Sequence, residues 1–217
     1  MTLFDPPSYI AIEGPIRVGK STLAGMLAEK MEGAYRVTEP EDNPFLDRFY
    51  RQEPGMAFST QMWFLEARYA QLQAAERQAG ADIVRRSVVA DYLFEKDKLF
   101  ACLNLGDDEL KLYNRFYEPM RSDLSTPDLV IYLKATPDVL RTRLKRKGVP
   151  GERAVSEEYL ETVIEAYEHF FARYTASDLL VIDTSQIDFV HNNRDLQALF
   201  RRLDAPVKGT QHFLMVG

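Results

Sequence analysis

The sequence predicts an α/β fold, a five-stranded parallel sheet flanked by helices. Three observations predict it. The short apolar stretch Ser8-Tyr9-Ile10-Ala11-Ile12-Glu13 reads as a buried strand and runs into a glycine-bearing turn, after which residues 21–30 read as a helix. Strand and helix patterns then alternate along the chain, which implies parallel strands joined by right-handed crossovers. Finally, Leu129-Val130-Ile131-Tyr132-Leu133 is almost wholly apolar, as expected of a strand covered by helices on both faces.

The remaining elements follow in order. Ala34-Tyr35-Arg36-Val37 is a weak second strand leading into Thr38-Glu39-Pro40-Glu41-Asp42-Asn43-Pro44, a loop by composition. Residues 56–78 form a long helix, with Met62, Leu65, Tyr69 and Leu72 at heptad-like spacing. Residues 83–91 are the third strand, and 94–105 and 107–123 are two helices around Gly106. After the fourth strand come a helix at 137–146, a segment rich in Lys and Arg, and a helix at 156–175. Leu179-Leu180-Val181-Ile182 is the fifth strand and 193–203 the last helix.

With 217 residues and 46% hydrophobic content, one domain over 1–217 is expected, with a cationic lid at about 143–153. The net charge of −6 argues against a large basic surface for nucleic acid but leaves room for a local cationic pocket. The single cysteine, Cys102, excludes an internal disulfide and fits a reducing, cytoplasmic setting; it reads as a small buried residue. No apolar run reaches membrane-spanning length, residues 1–7 lack a signal-peptide pattern, and His169, His191 and His212 have no zinc-ligand spacing.

The turn after the first strand, Gly14-Pro15-Ile16-Arg17-Val18-Gly19-Lys20-Ser21, is a G-x-x-x-x-G-K-[ST] phosphate-binding loop between strand and helix. There the N–H groups of Gly14, Arg17, Val18, Gly19, Lys20, Ser21 and Thr22 are candidates to cradle phosphate. Lys20 would reach the β/γ-phosphates and Ser21 would ligate Mg²⁺. Asp91 closes an apolar strand, Ser87-Val88-Val89-Ala90-Asp91, and is a second candidate for the metal. Glu39, biased towards extended backbone by Pro40, is a candidate general base, or one acid of a solvated loop beside Glu41 and Asp42. Gln61 and Arg68, seven apart on one helix face, could read a nucleobase edge or form a solvated stripe. The cations from Arg141 to Arg153 could close over a triphosphate or simply complement a helix C-terminus.

Taken together, these residues resemble the deoxyribonucleoside kinases, the group containing deoxycytidine, deoxyguanosine and insect multisubstrate deoxynucleoside kinases and their bacterial relatives. The likeness runs from Ile10 to about Phe189. It implies a P-loop kinase fold, ATP as phosphate donor with Mg²⁺, a deoxyribonucleoside acceptor and a homodimer. Thr38-Glu39-Pro40 resembles the family's Glu-Pro element, whose Glu takes the 5′-hydroxyl proton. Tyr50, following Asn43-Pro44-Phe45-Leu46, falls on the tyrosine at the sugar 3′-hydroxyl, and Glu152 on the lid glutamate that pairs with it. Gln61, Arg68 and Asp97 fall on the base-reading positions, Arg143 and Lys147 on cationic lid positions, and Asp188-Phe189 on the adenine-side loop. A charged Arg/Asp pair in the base pocket implies deoxyadenosine, deoxyguanosine or deoxycytidine in preference to thymidine. Two positions depart from the pattern. The arginine expected after Asp91 is Tyr92, and a second lid arginine is Val149; Lys96, Lys98 and Arg146 are the cations that could supply the missing charge. A thymidylate-kinase-like enzyme and a weakly catalytic nucleotide-binding protein are the alternatives, whereas a GTPase is disfavoured because no Asn-Lys-x-Asp motif occurs.

Overall fold

Six parallel strands, one more than expected, form a single sheet in the computed structural model, which describes residues 8–81, 86–147 and 155–214. The chain runs β1 (Tyr9–Glu13), α1 (Lys20–Lys30), β2 (Tyr35–Val37), α2 (Leu46–Tyr50), α3 (Met56–Ala81), β3 (Val88–Ala90), α4 (Lys96–Asn104) and α5 (Asp107–Asp123). It continues through β4 (Leu129–Lys134), α6 (Pro137–Lys147), α7 (Glu157–Phe171), β5 (Asp178–Asp183), α8 (Asn193–Leu203) and β6 (Thr210–Phe213). The strand order is β2-β3-β1-β4-β5-β6.

The sixth strand corrects the five-stranded expectation. Thr210-Gln211-His212-Phe213 carries only one strongly apolar residue, so it shows no apolar run. It forms because β5 offers its free edge, with Leu179 opposite Thr210 and Ile182 opposite Phe213. An edge strand needs only one partner, so its hydrogen bonds do not require the composition of a buried one. The expectation for 83–91 is narrowed to β3 at Val88–Ala90; residues 82–85 lie outside those described. The short helix α2 was not anticipated. Cys102 is exposed rather than buried: α4 turns Asp97, Leu99 and Ala101 inward instead.

Alternation along the strands divides the core in two. Tyr9, Ala11, Val130, Tyr132, Leu179 and Val181 face one layer, packed under α3, α5 and α7. Ile10, Ile12, Ile131, Leu133, Leu180 and Ile182 face the other, under α1, α6 and α8. The helix starts follow their caps. Ser156 Oγ accepts the Tyr159 N–H at 3.1 Å at the head of α7, and Asn192 Oδ1 accepts the Arg194 N–H at 3.0 Å at the head of α8.

The sheet order turns at β1, with β3 and β2 on one side and β4, β5 and β6 on the other. The carboxyl ends of strands at such a point bound a crevice where ligands bind in parallel α/β sheets. Gly14 is the first residue past β1 there. Its φ of 149° favours glycine, and a Cβ would lie 2.1 Å from the carbonyl oxygen of Leu133. Gly14→Ala is therefore expected to cost about 2 kcal/mol or more, lowering the melting temperature and removing the stabilisation by ATP. A variant that melts at the wild-type temperature, or that ATP stabilises as much as it stabilises the wild type, would refute this.

Candidate active site

The phosphate loop closes on itself. Lys20 Nζ donates to the carbonyl oxygens of Gly14 at 2.7 Å and Pro15 at 3.1 Å. Arg17 sits in the left-handed region at φ 62°, and Gly19 at φ 117°. A Cβ on Gly19 would press on the Phe189 ring at 2.7 Å, so the glycine lets the donor-side loop approach. Beneath lies Glu13, 1% exposed. Its Oε1 accepts the Gly14 N–H at 2.7 Å and the Tyr167 hydroxyl at 3.0 Å, and its Oε2 accepts the Leu93 N–H at 2.8 Å. Glu13 thus ties the loop to α7 and to the segment after β3. The sequence reading missed it, although an acid ending an apolar strand was the signal that picked out Asp91.

Glu39 emerges from the end of β2 and is not a solvated acid. Asp91, 1% exposed, accepts the Glu39 backbone N–H at 2.6 Å. Arg68 donates to Glu39 Oε1 through Nε at 2.9 Å and Nη2 at 2.5 Å, and Lys96 Nζ lies 2.5 Å from Oε2. Burial works to raise the Glu39 pKa, but Arg68 and Lys96 outweigh it and hold the carboxyl down to about 2. Lys20 is brought down to about 8, first by burial and then by repulsion from Lys96.

Behind Glu39 the base-reading candidates form one network. Arg68 Nη1 donates to Asp97 Oδ2. Gln61 Nε2 donates to Asp97 at its carbonyl oxygen (2.9 Å) and at Oδ1 (2.6 Å), and the Tyr113 hydroxyl donates to the same Oδ1 at 2.7 Å. Gln61 and Arg68 are 5% and 3% exposed, which rules out the solvated stripe. They share the inward stripe of α3 with Leu65 and Leu72. Burial pushes the Asp97 carboxyl up, against the opposing pull of Arg68. Burial also acts to discharge Arg68, yet Glu39 and Asp97 together raise its pKa. Phe64 lies under the guanidinium at 4.5 Å. Tyr113 had no sequence signal: it is one tyrosine among several on an amphipathic helix.

On the opposite side, Arg143 clasps two loops. Its Nη1 donates to the Val18 carbonyl at 3.2 Å and Thr184 Oγ1 at 3.1 Å, and its Nη2 donates to the Thr184 carbonyl at 2.9 Å. Asp188 Oδ1 accepts the backbone N–H groups of Val190 (3.2 Å) and His191 (3.1 Å), shaping the loop that carries Phe189. Lys147 ends α6, exposed, and lines the same cleft. Glu152 and Val149, with most of the expected lid, lie outside the described residues. Ser21, Thr22 and Tyr50 also line the cleft, which measures about 1620 Å³. That exceeds a single small-molecule pocket of roughly 300–1,000 Å³ and leaves room for two ligands side by side.

This arrangement joins a phosphate cradle to a buried polar pocket through one carboxylate. A model of the family described as deoxynucleoside kinase matches residues 10–208. The chain belongs to the deoxynucleoside kinase family. It is 36% identical to a deoxyguanosine kinase of Bacillus subtilis (strain 168) over 92% of this chain and 96% of that one. It is 28% identical to a deoxyadenosine kinase of Lactobacillus acidophilus over 92% and 96%. Among solved structures, deoxyadenosine kinase from M. mycoides with bound dATP superposes with a TM-score of 0.75 at 25% identity, covering 91% of this chain and all of that one.

In this kinase Tyr92 does not face the phosphate loop. It is wholly buried, and its hydroxyl donates to Gln71 Oε1 at 3.0 Å and to the Arg68 carbonyl at 3.3 Å, bracing α3. Of the three cations considered in its stead, Lys98 turns away to Asn114 and Glu118, and Arg146 is exposed on α6. Lys96 alone of the three bonds to Glu39. No described helix is long and apolar enough to cross a membrane.

Proposed function

We propose that this kinase transfers the γ-phosphoryl group of ATP to the 5′-hydroxyl of a purine deoxyribonucleoside, deoxyguanosine foremost, in nucleotide salvage. Deoxyadenosine and deoxycytidine follow, and thymidine is the poorest substrate. The observation that carries this reading is the position of Glu39, suspended from Asp91 between the phosphate loop and the buried Gln61–Arg68–Asp97 network. In that position the carboxylate takes the 5′-hydroxyl proton as the oxygen attacks phosphorus. Tyr50, and Glu152 of the lid, hold the 3′-hydroxyl. Gln61, Arg68 and Asp97 read the base. An arginine fork matches the O6/N7 edge of guanine, and the likeness to the B. subtilis deoxyguanosine kinase points the same way.

Lys20 and Lys147 serve the triphosphate, with the loop N–H groups of Arg17, Gly19, Lys20, Ser21 and Thr22 around it. Gly14 and Val18, whose N–H groups go to Glu13 and the Pro15 carbonyl, shape the turn. Arg143 holds the loop in place through Val18 and Thr184, and Asp188-Phe189 borders the adenine. Ser21, which lines the cleft, and the buried Asp91 are the oxygen donors we assign to Mg²⁺. Two oxygen ligands suit an ion that keeps its waters and takes its other ligands from phosphate, whereas the described residues offer no group of three or more His, Cys, Asp or Glu that could hold a metal by themselves. When bound, Mg²⁺ neutralises charge on the β- and γ-phosphate oxygens. We place the kinase in the cytosol as a homodimer; Leu112 and Phe116 of α5, 41% and 46% exposed, are apolar side chains that a subunit contact would cover.

Initial rates with the four deoxynucleosides and MgATP test the reading. Deoxyguanosine should give the highest kcat/KM and thymidine a value roughly 10²-fold or more lower, the scale of losing a paired polar contact. A highest value for thymidine refutes the substrate assignment, and turnover of a monophosphate but no nucleoside favours the thymidylate-kinase-like alternative.

A further inference from the structure

We propose that Lys96 is the cation that passes from the base Glu39 to the transferring phosphoryl group during the reaction, resting on the reading of Glu39 as that base.

Two of the cations around the cleft are already committed to fixed partners. Arg68 is held by two carboxylates, Glu39 and Asp97. Arg143 is committed to the Val18 and Thr184 carbonyls. Among the described residues Lys96 has one ionic partner, Glu39 Oε2 at 2.5 Å, and its side chain is only 10% exposed. It lines the cleft together with the phosphate loop, close enough to Lys20 for the two ammonium groups to repel. Helix α4 begins at Lys96. A cation in the first turn opposes the helix macrodipole, so the local helix gains nothing from a lysine there. The ring of Phe100, one turn on, lies 5.9 Å from Nζ and helps fix it.

The chemistry then follows from charge balance. In the resting site the ammonium of Lys96 is balanced by the Glu39 carboxylate. During transfer the O5′–H bond breaks and its proton goes to Glu39. The O5′–Pγ bond forms, and the Pγ–O bond to the β-phosphate breaks, its electron pair leaving with ADP. Once protonated, Glu39 no longer balances Lys96. The lysine charge becomes available just as negative charge spreads over the phosphoryl oxygens and the leaving bridge. A preorganised, poorly solvated cation stabilises charge at that moment far better than water does. This gives the interaction a transition-state character: little is gained in binding ATP or nucleoside, and much in turnover.

Steady-state kinetics of Lys96→Met, Lys96→Arg and Lys98→Met test the assignment, with deoxyguanosine and MgATP. Lys96→Met should lower kcat by about 10²–10³-fold, while KM for both substrates stays within about threefold. Lys96→Arg should recover at least about a tenth of the wild-type kcat, and Lys98→Met, whose ammonium turns away from the cleft, should be unchanged. Thermal melts with and without ATP establish that each variant folds and binds; Lys96→Gln replaces Lys96→Met if the latter does not fold. A kcat within threefold of wild type, a loss confined to KM, or no recovery in Lys96→Arg overturns the proposal. Glu39→Gln measured in parallel separates the two claims. Full turnover there removes the base, and the hand-over with it, whereas a slow Glu39→Gln beside a fast Lys96→Met removes only the role of Lys96.

Discussion

Glu39→Gln is expected to reduce kcat by about 10³-fold, the middle of the range for loss of a positioned general base. The amide keeps the size of the side chain and its reach towards Arg68, so the fold should be retained. Asp91 holds Glu39 through the backbone N–H, a contact the substitution leaves in place. What changes is charge and proton affinity: the two cations that hold the wild-type carboxyl at about 2 lose their shared anion. ATP binding, read by thermal stabilisation, should persist because the phosphate loop is untouched. A variant that turns over within tenfold of wild type would show that the 5′-hydroxyl proton leaves by another route.

Arg68→Ala should produce the largest loss of stability among the site substitutions. The Arg68 side chain is 4% exposed and the Asp97 side chain not at all. Removing the guanidinium leaves Asp97 in the interior with only Gln61 and Tyr113 donating to it. Breaking a buried ion pair from one side costs about 3–5 kcal/mol, which in a chain of this size lowers the melting temperature by roughly 10 °C. Adding Asp97→Asn should return part of that loss, because the amide is neutral and still accepts those bonds. A double-mutant cycle reads the coupling directly. Additive losses, or a drop in melting temperature of under 2 °C for Arg68→Ala, would mean that the pair contributes little. Nucleoside binding should fail in the single variant even where ATP still binds, because Arg68 bonds to Glu39 and Asp97 and not to the phosphate loop.

The helix at 107–123 and the last helix at 193–203 fall where their patterns place them, since amphipathic spacing and polar starts are local properties. The sixth strand escaped because Thr210–Phe213 owes its form to the edge of β5 and not to its own composition. Cys102 was misplaced for a related reason: α4 buries the charged Asp97 in its network, and that choice rotates the helix. Gln61 and Arg68 have polar side chains that suggest a wet surface when taken alone. The structure instead buries both in one network with Asp97, and Arg68 reaches Glu39.

By itself the sequence determined the parallel α/β architecture, the phosphate loop and its place after β1, and the kinase family. Each is written in contiguous residues whose backbone preferences and spacing act locally. Only the tertiary structure decided how the charges are shared. Lys96 reaches Glu39 from 57 residues away, and Tyr167 reaches Glu13 from 154. Tyr92, which replaces an expected arginine, proves to brace α3 rather than face phosphate. The physical reason is that the energy of a buried charge is set by the groups packed around it and by the exclusion of water. Those neighbours come from strands and helices that only folding brings together.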